Sequence, residues 1–481
     1  MAPQTVIVET EISLNSVRYP IKGLVASALS SIYPAKTIAG DYTKDSQQRA
    51  SVLALSDWRG GIGVNKMRAP EQINRAWWST AQLRYRGHLV LPGLATATAV
   101  VGSSAVGAIG ELANEIYAAF GTDVRKYNNT TDSWGSSLAT LPAAATDAIT
   151  FRMGGTVYLA FVTTGTPGGY TYTSDGTTWV DDTKDAKFLT WWDDRLWGID
   201  ATGQLWFSTA IGVETNEAQL PLPNSSVNSL FVGRLPNGEL ALFVGTTYGL
   251  YVHDIDNARF VETELVVPQH PDNGKGARRW RDSTFYPVGN GIYRYVNGSN
   301  MAAIAVMGPD RDDGLPSDKR GIIKQLVGTT NELLAIFDST SSPASMNTFD
   351  SDGVLSAAAV IPTDTGFSHI LGWNGEAWEC KWLGGNVGQA ISYAYVSNAY
   401  SAYRLWWATN QRVYYMALPR DIVNPNEITT FAYATGADHE TPWFNADQEE
   451  VDKLMLELRV EVAGASASET VVVYYGTNYG T

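Results

Sequence analysis

The sequence predicts an all-β protein, a seven- or eight-bladed β-propeller with an N-terminal arm and a C-terminal β-sandwich-like segment. From about residue 82 to about residue 419, short runs rich in Val, Leu, Tyr and Trp alternate with turns containing Gly, Asn or Asp. The strongest runs begin near residues 114, 156, 188, 229, 282, 332, 367 and 403. Their spacing of roughly 35 to 55 residues is typical of propeller repeats.

Radial packing is the physical reason for preferring a propeller. A single sheet of three or four short strands cannot bury both faces, whereas sheets arranged around an axis cover one another. The composition agrees, since 45 glycines, 11% aromatic residues and only 17% charged residues favour many turns and closely packed strands. We expect residues 80–110 to complete the blade that closes the ring.

Three parts of the chain differ in pattern. Residues 1–75 form an N-terminal arm, with a strand-like start at residues 6–14 and a Gly-rich turn at residues 57–63. Residues 76–430 form the propeller. Residues 431–481 form a β-rich segment, complete or incomplete, in which residues 453–462 and 469–475 alternate like the two strands of a hairpin. One hairpin is only marginally stable alone, so we expect it to pack on another surface.

Charge and cysteine usage exclude several classes of function. The formal net charge of -15 disfavours nucleic acid as a partner, because an acidic protein repels phosphate. Cys380 is the one cysteine, so neither an internal disulfide nor a cysteine zinc site is expected. The start of the chain lacks the pattern of a signal peptide, and no stretch of 18 apolar residues predicts a membrane helix.

One stretch resembles the end of a kelch blade. Tyr127-Asn128, a Thr-rich turn and Trp134 precede Leu141-Pro142. The glycine pair that opens a kelch repeat is not clearly present, so the resemblance covers part of one blade. It implies a structural role, in which the aromatic residues pack between strands.

A second stretch resembles the Asp-box turn of sialidase-like propellers. Thr173-Ser174-Asp175-Gly176 is followed by Trp179, one residue short of the usual spacing. In such a turn the Asp side chain caps its own backbone and the Trp wedges between strands. The resemblance therefore supports a propeller and implies no activity.

Candidate chemistry is sparse. Asp310, Asp312 and Asp313 with Gly314 resemble the start of a calcium loop, but the distal Glu is absent and a solvated acidic turn is the preferred interpretation. The five histidines show no metal-ligand spacing, and no nucleophile elbow or P-loop occurs. We therefore expect no catalytic residue and no cofactor. A glycoside hydrolase is the alternative, because Arg, Tyr and carboxylates are present although no motif places them.

The whole chain resembles the virion proteins of phage tails and tail tips. The likeness is one of composition and layout, with few cysteines, many Gly, Thr, Ala and aromatic residues, and segments such as 57–63 and 314–318. It implies a structural protein in the virion, made in the host cytoplasm, that contacts other virion proteins and copies of itself. A host-surface glycan or protein is a further partner. The alternatives are a carbohydrate-binding or sialidase-like propeller and a protein-interaction propeller.

Overall fold

The predicted all-β propeller is confirmed by a computed structural model of the chain, and the number of blades is seven. The residues that the structure describes are 9–14, 17–22, 57–63, 74–85, 88–102, 104–163, 165, 169–222, 226–235, 237–289, 291–296, 303–307, 315–319, 321–339, 366–420, 431–443 and 470–474.

Within the described residues, four short strands precede the first blade. β1 (Glu9–Leu14) and β2 (Val17–Lys22) form an antiparallel hairpin. β3 (Trp78–Ser79) and β4 (Thr96–Ala97) are two residues long, and each pairs with a strand from the far end of the chain.

Each blade is an antiparallel sheet of four strands, and the blades are numbered in chain order. Blade 1 comprises β5 (Val106–Leu112), β6 (Glu115–Phe120), β7 (Asp123–Asn128) and β8 (Ser133–Thr140). Blade 2 comprises β9 (Ala145–Met153), β10 (Thr156–Thr163), β11 (Gly169–Thr173) and β12 (Val180–Asp182). Blade 3 comprises β13 (Phe188–Trp192), β14 (Arg195–Ile199), β15 (Gln204–Ala210) and β16 (Val213–Gln219). Blades 4 and 5 comprise β17 (Val227–Arg234), β18 (Leu240–Thr246), β19 (Gly249–Asp254), β20 (Arg259–Val266); and β21 (Arg278–Trp280), β22 (Ser283–Val288), β23 (Gly291–Val296), β24 (Ala303–Met307).

The last two blades complete the ring. Blade 6 comprises β25 (Ile322–Gly328), β26 (Leu333–Asp338), β27 (His369–Trp373) and β28 (Trp378–Leu383), and blade 7 begins with β29 (Ile391–Ser397), β30 (Arg404–Thr409) and β31 (Arg412–Ala417). Short 3-10 turns lie at Ser317–Lys319 and Ala399–Ser401. A final strand, β32 (His439–Glu440), follows the ring.

The first strand of each blade lies innermost, and these strands contact one another around the axis. β5, β9, β13, β17, β21, β25 and β29 meet in that order, and β29 contacts β5. Each blade therefore has both of its faces covered by the two neighbouring blades. Adjacent tryptophans divide between two such interfaces, as strand alternation requires: Trp406 packs in the cluster shared with blade 1, and Trp407 in the cluster shared with blade 6.

Blade 7 takes its fourth strand from the beginning of the chain. β4 pairs with β31, with Thr96 opposite Tyr415 and Ala97 opposite Tyr414. This is the closing role expected for residues 80–110. A strand borrowed across the ring satisfies the outer edge of the last blade and joins the two ends of the propeller.

The structure corrects the eight predicted blade starts to seven. The starts near residues 332 and 367 belong to β26 and β27, two strands of blade 6 that are separated by a long connection. Because of this connection, β26 and β27 begin about as far apart in the sequence as two successive blades do. Several other predicted starts coincide with second strands such as β6, which are the most buried in their blades and therefore give the strongest apolar runs.

Polar side chains bridge the inner strands. The Tyr393 hydroxyl on β29 donates to Asp147 Oδ1 on β9 over 2.8 Å, reaching past blade 1. Backbone Ala148 N donates to the same oxygen over 2.8 Å. Burial raises the pKa of Asp147 to about 6, although the Tyr393 hydrogen bond favours its ionised form.

The predicted C-terminal β segment is described only in part. Residues 453–462, the first predicted strand, lie outside the described residues. Residues 470–474 of the second are exposed and have no strand assigned.

Candidate functional site

The kelch-like residues lie at the contact between blades 1 and 7. The Tyr127 ring packs against Trp134 and Trp406, with centroids 5.4 and 4.9 Å apart. The Trp134 indole Nε1 donates to Thr98 Oγ1 over 3.0 Å, directly after the closing strand. Asn128 Oδ1 accepts from the backbone N–H of Thr130 over 2.9 Å. These contacts are structural, whereas the resemblance of this stretch to part of a kelch blade stays a prediction.

The second predicted motif forms a capped turn in blade 2. Asp175 Oδ1 accepts from the backbone N–H groups of Thr177 and Thr178 over 2.8 and 2.7 Å. These hydrogen bonds hold the pKa of the Asp175 carboxyl well below its usual range. Gly176 adopts φ +72°, and a Cβ there would collide with the Tyr117 hydroxyl. Trp179 stacks on Phe161, with ring centroids 5.8 Å apart.

The predicted acidic cluster is not placed. Asp310, Asp312 and Asp313 lie outside the described residues. Within the described ranges, no group of three or more His, Cys, Asp or Glu side chains is arranged to hold a metal ion. The described part of the chain also contains no helix with the length and apolar character of a membrane span.

Segments from both ends of the chain meet on the ring, in a part of the structure that we call the terminal layer (residues 57–63, 74–85 and 431–443). Trp78 of β3 pairs with Glu440 of β32, and Thr80 N donates to Asp438 O over 2.9 Å. Ile62 N donates to Trp378 O over 2.9 Å, which ties the layer to blade 6. Part of the segment predicted as an arm therefore packs against the propeller.

Ring contacts hold the terminal layer together and attach it to blade 6. Trp58 contacts His439 edge to face at 4.4 Å, and Trp78 contacts His369 at 5.5 Å. His369 also stacks on Phe337 at 4.7 Å. Burial lowers the pKa of His369 and of His439 to about 4, so both rings are neutral at pH 7.

Four charged residues, which we call the charge network, fasten the same layer: Arg84, Glu332, Glu379 and Lys381. Arg84 Nη2 binds Glu379 Oε2 at 3.1 Å and also contacts Glu332. Lys381 Nζ binds Glu332 at 2.7 Å and Glu379 at 3.1 Å. Burial opposes ionisation of Glu379, but Lys381 and Arg84 outweigh it and lower the pKa of that carboxyl.

The charge network balances two cations against two carboxylates. The Glu379, Glu332 and Lys381 side chains are only 3%, 8% and 8% exposed, so an unmatched charge there would be costly. The arrangement is suited to holding a segment in place. Sequence reasoning missed it because Arg84 and Glu379 are 295 residues apart. The alternation of Glu379 and Lys381 on one strand face was the only signal available.

Comparisons with known proteins give only distant structural similarities. Neither a protein-family model nor a curated protein matches this sequence. Among solved structures, "YCF48 from Cyanidioschyzon merolae" is similar over 68% of this chain and 99% of its own, with 9% identity and a TM-score of 0.47. "YCF48 bound to D1 peptide" is similar over 68% and 100% of the two chains, with 11% identity and a TM-score of 0.44.

A third similar structure is "the extracellular domain of the putative hybrid two component system BT4673 from B. thetaiotaomicron". It covers 67% of this chain and 40% of its own, with 14% identity and a TM-score of 0.47. Because all three TM-scores are below 0.5 and the identities are 14% or lower, these similarities carry no argument about this chain. The class of protein that the fold defines is a seven-bladed β-propeller, an architecture suited to binding other molecules.

Proposed function

We propose that the protein is a non-enzymatic structural component of a phage tail or tail tip. It joins other virion proteins or copies of itself through the segments that extend from the terminal layer. The observation that carries the proposal is the antiparallel pairing of Trp78 with Glu440. This pairing brings a segment from the first part of the chain and a segment from its last part to one place on the ring.

The geometry supports attachment through both segments together. The chain continues before Asp57 and beyond Trp443, while Trp58 and His439, near these two points, are in ring contact at 4.4 Å. Two segments that leave one anchor bind a partner more tightly than either alone, because the second contact forms within the complex. The seven blades are closed by β4, so the ring itself remains a self-contained platform.

The proposed virion location rests on the resemblance of the chain's composition and layout to those of phage tail proteins. A particle outside the cell needs robustness, and this chain has a single cysteine and forms no internal disulfide. Ring closure, buried rings and the charge network supply that robustness instead. We propose that the chain is made in the host cytoplasm and is carried in the virion, where host attachment is a second role.

Truncation tests the proposal. The full chain and a variant lacking residues 1–40 are expressed in the source system, and sedimentation separates assembled particles from free protein. We expect the variant to keep the circular dichroism spectrum and melting temperature of the full chain but to remain in the free fraction. Both the terminal layer and the ring lie outside the deleted residues, which is why folding survives.

Two results would contradict the proposal. Equal sedimentation of the two proteins with particles would show that the N-terminal segment makes no assembly contact. A full chain that never enters a particle, and instead copurifies with a cellular protein, would favour a protein-interaction propeller. Asp256→Asn, an exposed change in the turn between β19 and β20 of blade 4, is the control and should sediment like the full chain.

A further inference from the structure

A groove lies at the inner rim of blades 2 and 3, which we call the rim groove. It has a volume of about 500 Å³ and is lined by Arg152, Gly154, Gly155, Trp191 and Asp194. These residues lie at the ends of β9 and β13 and in the turns that follow them. The groove shares a face of the ring with the terminal layer but lies on the far side, since blades 2 and 3 are opposite blade 6.

Trp191 is the aromatic residue that lines the rim groove, and its ring packs on another aromatic ring. Its indole stacks on Phe151, with centroids 5.9 Å apart and planes inclined by 30°. Phe151 is buried and stacks in turn on Tyr158 at 5.5 Å. Trp191 itself is only half-buried. A supported, partly uncovered indole presents a rigid flat surface at small cost in conformational entropy.

The floor of the groove is open backbone. Gly154 and Gly155 adopt φ +56° and +85° in the turn between β9 and β10. A Cβ built at either position would meet nothing within 4 Å. Packing therefore does not require glycine here, and a ligand can approach the main chain closely.

Opposite charges flank the indole. Arg152 and Asp194 are both exposed, and Asp194 has φ +51° in the turn between β13 and β14. Arg152 supplies several N–H donors in a fixed plane, and the Asp194 carboxylate supplies acceptors. Because one side chain is cationic and the other anionic, the rim groove carries no net charge to select a charged ligand.

We propose that the rim groove is a binding site for a neutral hexopyranose unit of an oligosaccharide. The C–H face of the sugar ring stacks on Trp191, and its hydroxyl groups, which both donate and accept, bind Arg152 and Asp194. The rim groove combines one flat aromatic surface with a few convergent polar groups, and its volume falls within the range of small-ligand sites. This site does not depend on the assembly function, because it lies on different blades.

The test uses the purified full chain and a panel of neutral oligosaccharides: maltohexaose, cellohexaose, chitohexaose and a galactohexaose. Hexagalacturonic acid, in which every sugar ring carries a carboxylate, is the charged comparison. Binding is measured by saturation-transfer NMR and by tryptophan fluorescence. We expect at least one neutral oligosaccharide to bind with a dissociation constant of about 1 mM or tighter, and hexagalacturonic acid to bind more weakly.

Variants assign the binding to the groove. Trp191→Ala, Arg152→Gln and Asp194→Asn should each weaken binding, the first by about tenfold or more. Arg152 and Asp194 are exposed, so their variants should fold normally even if Trp191→Ala is destabilised. Trp192→Ala is the matched control: Trp192 contacts Trp197 on the other face of β13, and its loss should leave binding unchanged.

Two results would overturn the inference. One is that no neutral oligosaccharide binds at about 10 mM, or that hexagalacturonic acid binds best. The other is that binding persists with equal affinity in the Trp191→Ala and Arg152→Gln variants. Neither result bears on particle assembly, so failure of this site and failure of the assembly function are distinguishable.

Discussion

The indole Nε1 of Trp134 in blade 1 donates a hydrogen bond to the hydroxyl of Thr98, 3.0 Å away, beside the strand that closes blade 7. Thr98 Oγ1 lies 2.9 Å from Val413 O in β31 and donates to it. Both Trp134 and Thr98 are buried. One hydroxyl therefore links the borrowed strand, the blade that it completes and the next blade of the ring.

Replacing Thr98 with Val should weaken the closure of the ring. The change keeps the shape of the side chain but leaves a buried indole N–H without its acceptor, which costs about 1–3 kcal/mol. Urea unfolding of the full chain measures the loss. Thr98→Ser retains the hydroxyl and is the control. A Thr98→Val variant as stable as the Thr98→Ser variant would show that this hydrogen bond does not hold the closure together.

Replacing Glu379 with Gln should loosen the terminal layer. Two cations would then share the single carboxylate of Glu332, and breaking one side of a buried ion pair costs about 3–5 kcal/mol. Hydrogen exchange should become faster in residues 74–85 before the blades unfold. Glu376→Gln, an exposed change in the adjacent turn, is the control and should leave exchange unaltered. Unchanged exchange in the Glu379 variant would mean that the charge network does not fasten this segment.

The buried His369 should make the protein less stable in acid. Its folded-state pKa of about 4 lies below the ordinary value of 6.5, because burial disfavours the charged ring. The contribution of the neutral ring is complete above pH 6.5 and is lost as the pH falls through 4, to an extent on the order of 3 kcal/mol. His369→Phe keeps an aromatic ring against Phe337 and should reduce this loss. An identical decline in both proteins, measured by urea unfolding from pH 7 to pH 4, would rule out His369 as a source.

Asp147 should make the protein less stable as the pH rises, which is the opposite of the effect of His369. Burial raises its folded-state pKa to about 6 from 3.8, so the folded protein binds this proton more strongly than the unfolded chain. Stability from this group is greatest below pH 3.8 and declines by about 3 kcal/mol as the pH rises through 6. Asp147→Asn should therefore gain stability relative to the full chain between pH 4.5 and pH 8. The exposed Asp256→Asn is the control, and a constant difference across this range would contradict the assignment.

Local patterns predicted the repeating part of the fold. Strand alternation and turn residues indicated a propeller, and the Trp406-Trp407 pair could be assigned to opposite faces of one strand. The number of blades could not be predicted from the sequence, because the long connection makes the starts of β26 and β27 about as far apart as the starts of two blades. The longest apolar runs in the sequence also coincide with second strands, so they marked these strands and not the inner strands that surround the axis.

The candidate sites depended on contacts distant in sequence. Arg84 reaches Glu379 across 295 residues, so no spacing rule could pair them. The rim groove needs Arg152 and Trp191 from separate blades, and only the ring geometry brings them together. Trp191 was visible as one of a tryptophan pair. Only the packing of blades 2 and 3 in the structure shows that Trp191, and not Trp192, lines a groove.

Cryo-electron microscopy of particles from the source, or of the purified full chain, tests the central claim most directly. We predict seven-bladed rings at fixed symmetry, in which neighbouring molecules contact the segments that leave the terminal layer on blade 6. Isolated monomeric rings, or an assembly in which neighbours touch only other blades, would contradict it.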